Sequence, residues 1–513
     1  NYKNSCNNMN TQTTAEDSSI LPARRWLLLI NVQIVTLMYG IAITSATIVL
    51  PHIQGALSVN QDQASWTMTL FLVGSAVTMP ITGWLAGWLG WRRLMVGTLI
   101  GFTVTSIACG LATNLETLLV ARAAQGVFGA PLMPLGQGML LATFPKKQHA
   151  LALMLWGIGG TMGPVLGPIL GGFVGEALGW RWTFLFLAPI STMAIIIAIF
   201  ALGDQQKGTS GKLGWMGFLS LAIAIGSAQL LLDRGHRLDW FESFEITTEL
   251  FICLIAALFF IWSTLYSKTP LFERAIFTNW NFTLGLLTML LMGALSFTPI
   301  TLFPMLLQDL RGYPDATAGI LLSARGFGNL ASFFIVVQFT KLNAKLALMT
   351  GMALQIWAGW AMSNLNINMT EFDVFWTNFV QGFGFGLAYT PMTVLAFATL
   401  STKLTVQGSA LFNMMRNFGS SLFLSLSILI LLRSAAENYS GLSQIINPMN
   451  PLLSNPNDAP HWNTTSIESI AKISEEITIQ SLMGGYLNAF QLFTWVAISA
   501  LILSCLYRSN RQQ

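Results

Sequence analysis

An all-α polytopic membrane protein of fourteen transmembrane helices, arranged six, two and six, is what this sequence predicts, on three observations. The 513 residues are 53% hydrophobic and only 9% charged, against roughly 25% charged in an average soluble chain. Apolar runs of the ~20 residues that a spanning helix needs recur along nearly the whole length. The two halves also resemble each other. "QGVFGAPLMPLGQGMLLAT" from Gln125 compares with "QGFGFGLAYTPMTVLAFAT" from Gln381 at an offset of 256, Gly163 falls on Gly419 at the same offset, and "LMVG" at 94–97 compares with "LMTG" at 348–351.

In chain order, residues 1–25 are a polar tail rich in Asn, Thr and Ser, expected to be disordered and unlike a cleavable signal peptide. Hydropathy then draws spans at 26–50, 67–89, 94–113, 117–143, 149–177 and 183–203, an N-terminal six-helix bundle over 26–203. Six spans and their loops account for less than the observed repeat offset, so residues 204–280 read as an inserted helix pair (spans 213–232 and 249–267) with its linkers. Spans at 281–307, 316–340, 344–363, 374–400, 405–434 and 487–507 complete a C-terminal bundle over 281–513, which includes an outer loop at 435–486. With a cytoplasmic N-terminus, Arg24, Arg25, Arg92, Arg93, Lys146, Lys147, Lys341, Lys345, Lys403 and Arg508 sort to the inside. Arg181, Arg234, Arg237, Arg311, Arg433 and Lys472 sort to the outside. That asymmetry sets both termini in the cytoplasm of a multi-pass protein.

Several function classes are disfavoured. Cys6, Cys109, Cys253 and Cys505 are scattered, without the spacing of a disulfide framework or metal site. No glycine loop followed by Lys announces a nucleotide site, and no nucleophile–base pair is legible. The sequence therefore predicts neither an enzyme nor an ATP-driven pump, and implies no cofactor and no nucleic-acid partner. Repeated halves around a central cavity are the build of a secondary transporter, driven by an ion gradient and facing the lipid bilayer.

Span five poses its own question. "GGTMGPVLGPILGGF" at 159–173 crowds helix breakers into an apolar segment, although Gly costs ~1 kcal/mol and interior Pro ~3 kcal/mol in a helix. In a membrane, small residues let helices approach closely, and neighbours re-satisfy backbone freed by Pro. Gly163, Gly167, Pro168, Gly171 and Gly172 form the pattern G-x-x-x-G-P-x-x-G-G. This resembles the antiporter motif of the major facilitator superfamily. "ARAAQG" (121–126), "LLLDRGHRLDWFES" (230–243), "LLQDLRGYPDATAGILLSARGFG" (306–328) and "NMMRNFGSSL" (413–422) resemble its fourteen-span drug:proton antiporters, in particular the EmrB-like branch. The resemblance covers about 26–507. It implies the major facilitator fold and a bacterial inner-membrane pump of amphiphilic small molecules. It also implies proton antiport and, as partners, an EmrA-like periplasmic adaptor and an outer-membrane channel.

Two family features are altered. The turn between spans two and three reads "GWLAGWLGWRR", which keeps Gly83, Gly90 and Arg92 but has Gly87 where the family has Asp. In span one, "AITSATIVLP" puts Ala42 where family members carry an Asp. Proton coupling therefore falls to peripheral groups, with Glu176, Asp309 and His52 as candidates, or to an acid on the substrate.

Intramembrane charge is costly and by default marks function. Arg122, Arg325 and Arg416 lie inside spans and are candidates for the substrate cavity, with Gln125, Gln381 and Asn413. The glutamines, at repeat-related positions, either bind ligand or cross-link helices, and Arg122 alternatively caps helix carbonyls. Three arginines, with carboxylates only at span ends such as Glu176, predict an electropositive cavity that favours anionic or neutral amphiphiles over quaternary ammonium drugs. The alternative function is a carrier of an anionic metabolite such as a carboxylate siderophore. In the outer loop, "INPMNPLLSNPNDAP" reads as irregular, and "TSIESIAKISEEITIQSLM" reads as a helix with Ile467, Ile470, Ile473 and Ile477 on one face. That element either lids the outer mouth or meets the adaptor.

Overall fold

The computed structural model describes residues 22–508 apart from 60, 146–147, 203–212, 236–237, 239, 314, 402–403 and 447–466. Most of the expected polar tail and the Pro- and Asn-rich stretch of the outer loop lie outside the described residues, as do the side chains of Pro168, Asp233 and Asp309. Every regular element among the described residues is helical. Lipid offers backbone groups no hydrogen bonds, so a spanning segment must satisfy them within itself.

The helices are α1 (Pro22–Ile48), α2 (Leu50–Leu57), α3 (Gln61–Thr78), α4 (Thr82–Leu89), α5 (Trp91–Gly110), α6 (Leu115–Gly129), α7 (Leu132–Thr143), α8 (His149–Leu178), α9 (Trp182–Leu185) and α10 (Leu187–Ala201). They continue with α11 (Trp215–Arg234), α12 (Phe244–Tyr266), α13 (Arg274–Thr278), α14 (Trp280–Met305), α15 (Asp315–Met362), α16 (Glu371–Phe397), α17 (Thr405–Ile445) and α18 (Ile467–Cys505). Ends are set by local chemistry. Asn114 caps α6 by accepting from the Thr117 N–H at 2.9 Å. Gly90, at φ 82°, turns α4 into α5 in a conformation that favours glycine.

The expected fourteen spans in a six–two–six order are corrected here. Among the described residues, eleven helices are long and apolar enough to cross a membrane, or twelve if the bent pair His149–Pro164 and Ile169–Leu178 is one span. Two physical causes account for the difference. The spans drawn at 316–340 and 344–363 are two helical segments of α15 that meet at a kink at Asn343, where the backbone is non-helical (φ −158°, ψ 97°), and they count together as the single apolar stretch Thr317–Met362. The span drawn at 374–400 lies in α16, which is not among those eleven helices and which buries the polar side chains of Thr377, Asn378, Gln381 and Thr390.

The chain divides into two compact units. Unit 1 comprises Asn1–Ser227, Ile252–Thr283 and Thr393–Met414. Its core includes Ala46, Val49, Ile53, Cys109, Leu118, Trp180 and Phe184. Unit 2 comprises Ala228–Phe251, Leu284–Met392 and Met415–Gln513. Its core includes Leu302, Phe303, Met362, Tyr486 and Phe490, and the Phe303 and Phe490 rings lie 4.9 Å apart.

In unit 1, glycines four apart on α8 make one face against α1. A Cβ on Gly163 would lie 2.7 Å from the Leu37 carbonyl oxygen and 2.8 Å from Gly40 Cα, and one on Gly171 would lie 2.8 Å from the Ser45 carbonyl oxygen. Gly167 faces Thr44, whose hydroxyl donates to the Gly40 and Pro164 carbonyls at 3.2 Å. The helix bends by 44° between Pro164 and Ile169. The breakers of span five thus sit where α1 and α8 touch backbone to backbone. In unit 2 the same contact recurs between α14 and α17, where a Cβ on Gly419 would lie 2.7 Å from the Leu290 carbonyl carbon and one on Gly293 would lie 2.7 Å from the Ser420 nitrogen. The sequence repeat is therefore also a repeat of helix crossings.

Candidate functional site

Arg122 stands on α6 and is fully buried in unit 1. Its Nε donates to the Thr67 carbonyl at 2.9 Å, and its Nη1 donates to the Ala42 carbonyl at 3.3 Å and to Gln125 Oε1 at 2.7 Å. Gln125 passes the chain on by donating to Ser106 Oγ at 2.8 Å. The guanidinium also lies 4.5 Å from the Phe71 ring centroid and 5.4 Å from that of Phe184. A buried charge is tolerated where carbonyl dipoles and aromatic faces replace its water. Ala42, where the family carboxylate would stand, supplies only its backbone oxygen. The register is held by close approach of α3 and α6: a Cβ on Gly126 would lie 3.0 Å from the Phe71 carbonyl carbon.

Unit 2 repeats this crossing with different side chains. Gly382 of α16 backs onto the Arg325 backbone of α15, and Gly328 onto that of Phe379, where added Cβ atoms would lie 2.7 and 2.9 Å from the carbonyl carbons. Gln381, the counterpart of Gln125, donates to the Leu295 carbonyl at 2.8 Å and to Gln355 Oε1 at 3.2 Å. Both glutamines therefore cross-link helices. Arg325 is 3% exposed, and its Nε and Nη1 have no hydrogen-bond partner among the described residues. Its one aromatic neighbour in register is Phe385, whose ring centroid is 5.8 Å away.

The remaining candidates are dispersed. Asn413 is buried in unit 1, donating to Gln137 Oε1 at 2.6 Å and to the Ser409 carbonyl at 2.9 Å. Gly83, in the same unit, lies against Gln407, and Gly138 lies against Val406. First-repeat and second-repeat segments thus interlock around these positions within unit 1. Arg92 is half-buried near the Gly90 turn. Arg416 is half-buried in unit 2, with its Nε unpartnered among the described residues. Gly172 is half-buried, whereas Glu176 and His52 are exposed at helix ends. Asp309 sits in a π-helical turn, Leu306–Leu310. No group of three metal-ligating side chains occurs among the described residues.

Sequence reading missed two features. Glu249 of α12 meets Arg234 Nη1 at 3.3 Å, and Glu245 meets Arg234 Nη2 at 2.7 Å. The signal was present: two glutamates four residues apart share a helix face, opposite an Arg at the end of the preceding helix. The second is a polar stripe on α15, where Arg325, Asn329 and Ser332 are all buried at i, i+4, i+7 spacing.

The family model of the Major Facilitator Superfamily matches residues 32–424. The multidrug export protein EmrB of Escherichia coli is 29% identical over 428 residues, covering 83% of this chain and 84% of that protein. The fatty acid resistance protein FarB of Neisseria gonorrhoeae is 30% identical over 465 residues, covering 88% of this chain and 91% of that protein. The crystal structure of the human organic anion transporter MFSD10 matches with a TM-score of 0.61 at 12% identity, over 94% of this chain and all of that one, a likeness of fold.

Proposed function

The chain belongs to the major facilitator superfamily as a multi-pass secondary transporter of small hydrophobic or amphiphilic solutes and not an enzyme, and from that premise we propose that it exports amphiphiles as the inner-membrane pump of a tripartite system. Both termini face the cytoplasm in this reading, as the Lys and Arg asymmetry requires. A proton gradient drives export. With Ala42 in span one, the proton travels on a peripheral group such as Glu176, Asp309 or His52, or on the substrate's own acid.

The observation that carries the proposal is the length of the last two helices. At 41 and 39 residues, α17 and α18 are each ~60 Å long at 1.5 Å per residue, about twice the ~30 Å hydrocarbon core. Beyond the bilayer they stay paired. Ala435, Ile473 and Ile477 are buried, Gly485 lies against Leu431, and the Tyr439 hydroxyl is 3.4 Å from Ser474 Oγ. Farther out, Ile467 is 89% exposed and Ile470 50%. A stiff helix pair whose described outer end exposes isoleucines, held clear of the headgroups, suits a periplasmic adaptor better than lipid.

Deleting residues 460–480 and co-purifying with an EmrA-type adaptor tests this reading. The pump should remain monodisperse in detergent and lose the adaptor. Retention of the complex by the deleted protein would overturn the assignment.

A further inference from the structure

Segments of the two sequence repeats meet inside unit 1, and their junction is poor in satisfied polar atoms. The 393–414 stretch, the end of α16 and the start of α17, belongs to unit 1, and α17 passes into unit 2 at Met415. Close contacts hold it: a Cβ on Gly83 of α4 would lie 2.8 Å from Gln407 Cα, and one on Gly138 of α7 would lie 3.0 Å from Val406 Cα. Beside them the fully buried amides of Gln137 and Asn413 share one hydrogen bond, donated by Asn413 Nδ2 to Gln137 Oε1 at 2.6 Å. The second Asn413 N–H goes to the Ser409 carbonyl at 2.9 Å. That bond fixes which way both amides point, because turning either would set nitrogen against nitrogen or oxygen against oxygen. Gln137 Nε2 and Asn413 Oδ1 are therefore buried with no hydrogen-bond partner among the described residues, as are Ser409 Oγ, Gln407 Oε1 and Thr82 Oγ1 on the same three helices. An unpaired buried polar atom costs more than one neutral hydrogen bond returns, and native interiors leave few of them. Packing keeps this junction closed against the preference of its own polar groups.

We propose that Gln137 and Asn413 are a release catch, an under-satisfied amide pair that keeps the 393–414 segment ready to part from α4 and α7 when the protein opens to take up solute. The inference rests on the transporter reading above and deepens it by assigning the residues that set the opening. Their placement fits. Lys146 and Lys147 follow α7 in the sequence, Arg92 and Arg93 follow the turn after α4, and Lys403 precedes α17. All three contacts therefore lie near helix ends that the charge asymmetry assigns to the cytoplasm. On separation, water reaches Gln137 Nε2, Asn413 Oδ1 and Ser409 Oγ and supplies the hydrogen bonds that the closed form withholds. The contacts of Gly83 and Gly138 are what closing regains. A cycling gate needs two arrangements of similar free energy, and a junction with every polar atom satisfied would favour the closed one.

A double-mutant cycle tests this, read by N-ethylmaleimide labelling of a Val406→Cys parent in lipid nanodiscs, with peptide mass spectrometry to separate that position from the native cysteines. Val406 is 6% exposed in the closed junction, so labelling there reports opening. Gln137→Met alone strands the whole Asn413 amide, and should label about tenfold faster than the parent and melt lower. Gln137→Met combined with Asn413→Leu removes both polar groups and roughly keeps their shapes. The combined variant should label about tenfold slower than the parent, melt no lower, and carry less naphthalene-2-sulfonate in proteoliposomes. A combined variant that labels faster and melts lower would make the pair structural glue, and one that labels at the parent rate would give it no part in opening; either result overturns the proposal. The two claims fail separately. Wild-type sulfonate flux with labelling indifferent to the pair rejects the catch and leaves export standing, whereas labelling in the expected order without any wild-type flux supports the catch and rejects export.

Discussion

Gly163→Ala is the smallest change that probes the α1–α8 contact. The added methyl carbon would sit 2.8 Å from Gly40 Cα and 2.7 Å from the Leu37 carbonyl oxygen, about 1 Å short of the ~3.5–4.0 Å optimum for carbon pairs. Both neighbours are backbone, so no rotamer change relieves the clash and the helices must part. Overpacking of this kind destabilises by about 1–3 kcal/mol, offset by the ~1 kcal/mol that Ala gains over Gly within a helix. The net loss reaches about 2 kcal/mol by the difference of those two ranges. Gly157, in the same helix with nothing within 4 Å of an added Cβ, provides the control, and Gly157→Ala should be neutral or stabilising. Thermal melting in one detergent, with flux at matched expression, reads both variants. If Gly163→Ala melts and transports like Gly157→Ala, the span-five glycines are not there for close packing and the reasoning fails.

Arg122→Met should lower stability by about 3 kcal/mol, because it removes charge-assisted hydrogen bonds and leaves Gln125 Oε1 only the weak Cys109 thiol as donor; a melting temperature equal to wild type would refute the structural role given to Arg122. Thr370 and Asp373 form a capping box at the start of α16, in which Asp373 accepts from the Thr370 N–H at 2.9 Å and from its hydroxyl at 2.8 Å. Those bonds hold the Asp373 carboxyl below its ordinary range, so its stabilisation is present at neutral pH and lost as the pH falls below about 4. Thr370→Ala should lower the melting temperature at pH 7 and make its fall on the acid side shallower, and an unchanged acid limb would count against the pairing.

How much of this was legible in the sequence depends on which part of a residue makes the interaction. Gly163 and Gly419 were visible as repeat partners because backbone-to-backbone contact admits only glycine, which leaves a mark in the letters. Arg122 was visible as a charge in a span, but its acceptors are the carbonyls of Thr67 and Ala42, and any residue supplies a carbonyl. Its engagement by the protein, and the isolation of Arg325, could be seen only in three dimensions. The span count failed where hydropathy is a poor proxy for geometry: the two segments of α15 follow each other across a kink at Asn343 with no loop between them, and α16 buries the amide of Gln381, which cross-links helices. Glu249 escaped notice at the edge of a drawn span, where an error of a few residues decides whether a carboxylate counts as intramembrane.

The most direct test of the account is flux through the purified protein in proteoliposomes under an imposed pH gradient, measured in parallel for naphthalene-2-sulfonate, which carries a permanent negative charge, and ethidium, a cation. The account predicts saturable, gradient-dependent movement of the sulfonate that stops when the gradient is collapsed, with little movement of ethidium. Robust ethidium transport without the sulfonate, or fluxes no greater than in protein-free liposomes, would contradict it.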